Sequence, residues 1–296
     1  MTKCIAVACV LAYTGLEATP SVAETANPDD FQWSEEHRGE PLDLKGFKLT
    51  FADEFDSFQI SGSNGTTLWK APVHSDVGSS VWDAPSAQND IYSVKDGVLT
   101  IRARKASDGR WHAGNIQTVD PQGNGFAQQY GYFEARIQFP AMPGAWCAFW
   151  LKSQPEHKDK SLVRPEIDVV EWYGGDPKGH HQTVHLWPPD GKYITPGRLA
   201  KHWYRSNYTG MPEIGTGWHT HGVLVTPQWV IMYVDRKEVS RFTTFDEYKL
   251  PLYPLVSLTL YEKDVAKAVS PFDMQVDYVR IYHRQSPKAP VPRLEQ

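Results

Sequence analysis

The 296-residue sequence predicts an all-β chain folded as a two-sheet sandwich. Three observations predict it. Short runs of apolar or alternating residues recur along the chain, each the length of a strand. Turn pairs punctuate them: Asp96-Gly97, Asp108-Gly109 and Asp190-Gly191. No amphipathic helical period extends over about ten residues or more. Regular turns without alternating helices fit two packed antiparallel sheets.

In chain order, residues 1–23 read as an export signal. Lys3 supplies the positive end, Cys4 to Tyr13 an apolar core too short to span a bilayer, and Ser21-Val22-Ala23 a small-x-small cleavage pattern. The expected location is periplasmic or secreted. Residues 24–44, rich in Pro, Asp and Glu, read as an irregular lead-in. One large domain is expected over residues 45–285, and residues 286–296 are expected to be a tail.

Within the domain, strands are predicted at Phe47–Phe51, Ile91–Val94, Val98–Ala103 and Gly131–Phe139. Further strands are predicted at Ala145–Leu151, Glu166–Tyr173, Gln182–Trp187, His219–Thr226, Trp229–Val234 and Val276–His283. The run Val230 to Val234 followed by Asp235-Arg236-Lys237 reads as a strand entering a hairpin.

A net charge of −5 with only scattered basic residues argues against nucleic acid as a partner. Past the leader no segment has transmembrane length, and a monomer is expected. Cys147 is the sole cysteine beyond the leader, so no internal disulfide is expected there. It reads as a small core residue. Eleven Trp and fourteen Tyr favour carbohydrate, because aromatic faces stack on sugar rings.

The densest chemistry lies in Pro165–Trp172, P-E-I-D-V-V-E-W. Its β-branched residues favour a strand. Alternation puts Glu166 and Asp168 on one face and Glu171 on the other. One extra residue in a β-bulge, at Val169 or Val170, would bring all three carboxylates to the same face. The two glutamate Cα atoms would then lie ~13 Å apart. Side chains leaning inward would leave ~5 Å between carboxyl groups, within the ~5–5.5 Å of a retaining glycosidase.

These residues resemble glycoside hydrolase family 16. E-I-D-V-V-E is similar to the bulged E-x-D-x-x-E signature of its laminarinase-like, endo-β-1,3(4)-glucanase branch. Seven further segments resemble the family in order: 49–56, 96–103, 130–137, 144–151, 217–223, 233–239 and 276–282. The resemblance implies a jelly roll with a substrate cleft on its concave sheet. It also implies a retaining endo-glycosidase acting on β-1,3 or mixed β-1,3/1,4 linkages, with a bacterial exopolysaccharide among the candidate substrates. Glu166 would be the nucleophile, Glu171 the acid/base and Asp168 their partner. Two alternatives stay open: a transglycosylase on the same substrates, and a non-catalytic carbohydrate-binding jelly roll.

Around these acids, strand parity puts Trp146, Ala148 and Trp150 on one face, with Cys147, Phe149 and Leu151 on the other. Trp146 and Trp150 are candidates for sugar stacking, with a core role as the alternative. Thr183, His185 and Trp187 share a face. His185 is a candidate partner for a carboxylate or sugar hydroxyl, or else a structural histidine, and Trp187 a further substrate contact. His180-His181 reads as a surface pair, and 180/181/185 is not a structural-zinc spacing, so no metal is expected from it. No cofactor is required. The family often carries a structural Ca²⁺, to which Asp277 would contribute, but no dense acidic calcium loop is present. Cys147 where the family more often has Pro, and Leu255–Tyr261 without the family's Gly-Gly, alter the ends of the cleft.

Overall fold

The computed structural model describes residues 41–58, 68–70, 76–86, 89–176, 180–189 and 217–284. The export signal, nearly all of the lead-in, the Asp190-Gly191 turn and the tail lie outside them.

Fifteen strands form among the described residues. They are β1 (Phe47–Asp53), β2 (Asp76–Val77), β3 (Ser80–Asp83), β4 (Tyr92–Lys95), β5 (Val98–Lys105), β6 (Trp111–Gln117), β7 (Gly131–Gln138), β8 (Ala145–Ser153), β9 (Arg164–Tyr173), β10 (His181–Trp187), β11 (Trp218–Val225), β12 (Trp229–Val234), β13 (Lys237–Thr243), β14 (Leu252–Leu260) and β15 (Phe272–Arg284). Among the described residues, helical structure is confined to three short 3₁₀ turns, including Pro155–His157 and Asp246–Lys249.

The strands hydrogen-bond in the order β10-β9-β8-β14-β6-β5-β15-β7-β11-β12-β13. The two layers meet at β5. Its last residues pair with β6, and the rest pairs with β15 and β4. One layer is therefore β10-β9-β8-β14-β6, with β3 parallel to β6. The other is β15-β7-β11-β12-β13 with β1 and β4.

Apolar residues from both layers fill the space between them. Cys147, Phe149 and Leu151 of β8 and Ile167, Val169, Val170 and Trp172 of β9 meet Ile137 of β7, Val223 of β11 and Val279 of β15. Each large side chain so buried contributes ~1.5–3 kcal/mol. Cys147 is fully buried, as expected, and burial pushes its thiol pKa up, away from nucleophilic use. A smaller cluster, Tyr132, Leu224, Ile231 and Tyr233, lies outside the second layer under Leu42 and Leu44, the last residues of the lead-in. No helix among the described residues is long and apolar enough to cross a membrane.

All ten predicted strands form, within a few residues at their ends. Asp96 and Gly97 take left-handed backbone angles, as do Asp235 and Arg236 at the β12–β13 hairpin. The strands beyond the prediction have physical reasons to be obscure. β14 is buried at every position, so it shows no alternation, and Pro254 stands in its middle. Pairing with β6 begins only at Leu255, one residue past that proline. β6 carries Gly114 and Asn115, both poor strand formers. A Cβ on Gly114 would sit 2.5 Å from the Tyr92 hydroxyl. That hydroxyl accepts the Asn115 N–H at 3.0 Å and donates to the Asp83 carbonyl at 2.8 Å.

Candidate active site

The bulge forms at the expected place. On β8, Phe149 and Trp150 are consecutive, yet they face Val170 and Asp168 of β9. On β10, Gln182 alone spans the interval between His181, opposite Glu171, and Thr183, opposite Asp168. One residue is thus extra against both neighbours. Val169 and Val170 both turn into the core, and Glu166, Asp168 and Glu171 all face one cleft. Gly174 closes the strand because a Cβ there would overlap the Met142 carbonyl oxygen.

The cleft has a volume of about 390 Å³. Every site residue expected from the sequence lines it: Glu166, Asp168, Glu171, Trp146, Trp150, His185 and Trp187. Ala148, directly opposite Glu171, leaves open floor between the indoles of Trp146 and Trp150.

Glu171 is gripped from one side. Trp146 Nε1–H donates to Glu171 Oε1 at 3.0 Å, and the Tyr173 hydroxyl donates to the same oxygen at 2.8 Å. The two donor rings stack at 5.6 Å. Glu171 Oε2 receives neither bond. Burial raises the Glu171 pKa, and the two donors oppose that rise by stabilising the anion.

Asp168 accepts a hydrogen bond from His185 Nε2 at 3.0 Å. Burial disfavours a charged His185, but the bond to Asp168 and the surrounding carboxylates outweigh it and raise its pKa to about 9. Trp187 stacks on His185 at 5.4 Å, and the Tyr248 hydroxyl donates to its backbone carbonyl at 3.0 Å. The Asp168 pKa rises to about 6, first by burial and then by the charge of Glu171. That of Glu166 rises to about 7, first by burial and then by Asp168; His185 and Lys152 oppose the rise. Each of the three carboxylates thus has its pKa raised by a neighbouring one: Glu166 by Asp168, Asp168 by Glu171 and Glu171 by Glu166.

Glu166, Asp168 and His185 offer ligand atoms within 4.8 Å of one another, a spacing open to a metal ion. His185 engages Asp168 through Nε2, so an ion ligated by that nitrogen would replace this hydrogen bond. Asp277, through which the family resemblance suggested calcium, is bound by Arg136 and faces a cation already.

One histidine pair departs from expectation, and several cleft residues were missed. His180-His181 is not a surface pair. His180 is fully buried against His221, ring centres 6.0 Å apart, while His181 lies in the cleft edge-on to Tyr173. Alternation at the start of β10 sends one histidine to each face. The cleft also includes Tyr173, Lys152, Trp82, Ser257 and Thr259. Tyr173 and Lys152 were legible by parity, two residues beyond Glu171 and Trp150. The others belong to β3 and β14, whose strand character the sequence hides.

Comparison with known proteins agrees with this geometry. Residues 79–279 match the model of glycosyl hydrolases family 16. The endo-1,3-1,4-beta-glycanase EglC of Rhizobium meliloti (strain 1021) is 31% identical over 277 residues, covering 81% of this chain and 53% of its own. The endo-1,3-1,4-beta-glycanase ExsH of the same organism is 32% identical over 269 residues, with the same shares. The chain thus spans about half the length of these curated relatives. Among solved structures, SCLam, a non-specific endo-beta-1,3(4)-glucanase, superposes with a TM-score of 0.64 at 22% identity, over 84% of this chain and 96% of its own. The laminarinase from Rhodothermus marinus gives 0.61 at 22% identity, over 81% and 98%. At that identity the likeness establishes the fold, a jelly roll.

Proposed function

The chain belongs to glycosyl hydrolases family 16, and from that premise we propose that it is a retaining endo-glycosidase cleaving β-1,3 or mixed β-1,3/1,4 linkages in a polysaccharide. The observation that carries the reading is the bulge at Val169–Val170, which delivers Glu166, Asp168 and Glu171 to one cleft. A sugar-binding surface has no use for three carboxylates crowded on one face of one strand, of which Asp168 is buried and Glu166 and Glu171 only partly exposed.

In the first step the Glu166 carboxylate attacks the anomeric carbon as the glycosidic C–O bond breaks. Glu171 gives its proton to the departing oxygen. With Oε1 held as an acceptor by Trp146 and Tyr173, the proton belongs on Oε2. In the second step Glu171 removes a proton from water. The water oxygen bonds to the anomeric carbon, and the ester to Glu166 breaks. Asp168, paired with His185, holds negative charge beside both glutamates and favours the proton on Glu171 before substrate arrives.

Trp146, Trp150 and Trp187 supply stacking faces along the cleft, and His181 and Thr183 supply polar contacts. No cofactor enters either step. A polymer substrate fits the export signal read at residues 1–23, and we place the enzyme, as a monomer, in the periplasm or outside the cell.

The test is a polysaccharide panel read by reducing ends and by NMR of the first-formed anomer. Cleavage of β-1,3-glucan or mixed-linkage glucan with β-anomer first is expected. Inversion, or no cleavage of any β-glucan, overturns the reading; products longer than the substrate mark transfer instead of hydrolysis.

A further inference from the structure

A lysine stands in the cleft beside the three acids. Lys152 of β8 lies directly opposite Glu166 of β9 and faces the same cleft. Cross-strand neighbours of this kind have Cβ atoms ~4.5–5.5 Å apart. The Lys152 ammonium is held by Glu156 at 3.1 Å, and Glu156 is itself fixed by the Ser153 hydroxyl at 3.0 Å. Both partners are shielded, with side chains 15% and 6% exposed. A small apolar cluster, Val119, Tyr253 and Leu255, packs against Trp150, which lines the same cleft. Tyr253 lies opposite Lys152 on β14. In such a site a charge acts on its neighbour with little screening from water.

We propose that Lys152 is a positioning residue that keeps Glu166 ionised for attack, and that Glu156 sets how much of the ammonium's charge Glu166 feels. The proposal rests on the assignment of Glu166 as nucleophile above. The other groups facing Glu166 are Asp168 and Glu171 on its own strand, His185 on β10, Tyr248 of the Asp246–Lys249 turn, and Tyr253 on β14. Arg164, two residues upstream, shares the strand face. Of these, His185 is committed to Asp168 through its ring nitrogen. Lys152 and His185 are the cations that act on Glu166, so Lys152 is the one whose effect can be varied without breaking the Asp168 pair. Glu156 opposes it: the two act on Glu166 with opposite signs, Lys152 more strongly.

Opposite signs make the test specific. Lys152→Met should move the acid limb of kcat/KM to higher pH by about one unit, the lower end for removing an opposite charge within a few ångströms. Glu156→Gln, which keeps the Ser153 bond, should move it to lower pH. The double variant should return it towards the wild-type position, and Lys152→Arg should leave it in place. Loss of stability alone would shift none of these limbs in opposite directions. The same variants, followed by ¹³C NMR titration of labelled glutamate carboxyls, report on Glu166 whether or not glucan is cleaved. Inactivity of wild-type protein on every glucan would thus sink the functional assignment, whereas the titration judges the charge relation. A folded Lys152→Met protein with raised KM and an unmoved acid limb would make Lys152 a sugar contact and overturn the proposal. So would shifts of the same sign in the two single variants.

Discussion

Deleting Val169 tests the geometry on which the active site depends. The deletion removes the one residue that is extra against both β8 and β10, so regular pairing resumes on each side. Asp168 would still face the cleft, Val170 the core and Glu171 the cleft. The losses can be sized. Val169 is fully buried, and its side chain contributes about 2 kcal/mol. Its carbonyl accepts the Gln182 side-chain amide at 3.3 Å, a buried hydrogen bond worth about 1 kcal/mol. About 3 kcal/mol falls within the 5–15 kcal/mol of a typical fold. For a domain this large it should lower the Tm by about 6–12 °C. Thermal unfolding by circular dichroism with a glucan assay reads both quantities. A folded protein more active than Glu166→Gln is expected. Deleting Ile167 is the control: no bulge lies there, so Glu166 would turn to the face opposite Asp168 and activity should vanish. If the Val169 deletion fails to fold, or the two deletions behave alike, the extra-residue account is wrong.

Other outcomes follow from the same contacts. Glu166→Gln and Glu171→Gln should each lower turnover by about 10²-fold or more with the fold intact; a purified variant above a tenth of the wild-type rate would remove that residue from its role. Asp168→Asn should lower the rate less and move the acid limb down, because the neighbouring charge that raises the Glu166 pKa is gone; a fixed acid limb refutes the coupling. Trp146→Phe keeps an aromatic ring and loses the donor to Glu171. Its acid should become weaker and the alkaline limb should move up, a shift that Trp150→Phe should not reproduce. Burial lowers the His180 pKa to about 4, so the folded state refuses a proton that the unfolded chain accepts below about 6.5. Its contribution is therefore present above pH 6.5 and lost towards pH 4, by about 3 kcal/mol. Urea unfolding across that range should show a steep slope that His180→Leu flattens, and an unchanged slope would exclude it.

What the sequence made legible tracks how locally each feature is encoded. The three acids and the bulge follow from strand parity within eight residues. Trp146, Trp150, His185 and Trp187 follow from the same alternation on the neighbouring strands. Fully buried β14 has no such pattern, and Pro254 within it argues against a strand, so Ser257 and Thr259 stayed hidden. His180 escaped because its burial is decided by His221, forty-one residues on in the other layer. The pairing of Lys152 with Glu156 could be read as an i,i+4 spacing, but a 3₁₀ turn at Pro155–His157, not a helix, brings them together.

The cross-strand rows of the cleft have an evolutionary consequence. His185, Glu166, Lys152 and Tyr253 form one row across four strands; Thr183, Asp168, Trp150 and Leu255 form the next. Each strand gives one side chain to a row, and the residue beside it in sequence goes to the core. Lineages can therefore exchange Thr183 or Trp150 for other side chains while Val184 and Phe149 go on holding the layers together. With the three acids on β9, what the cleft accepts can be redrawn one strand at a time, by single substitutions that leave the core untouched.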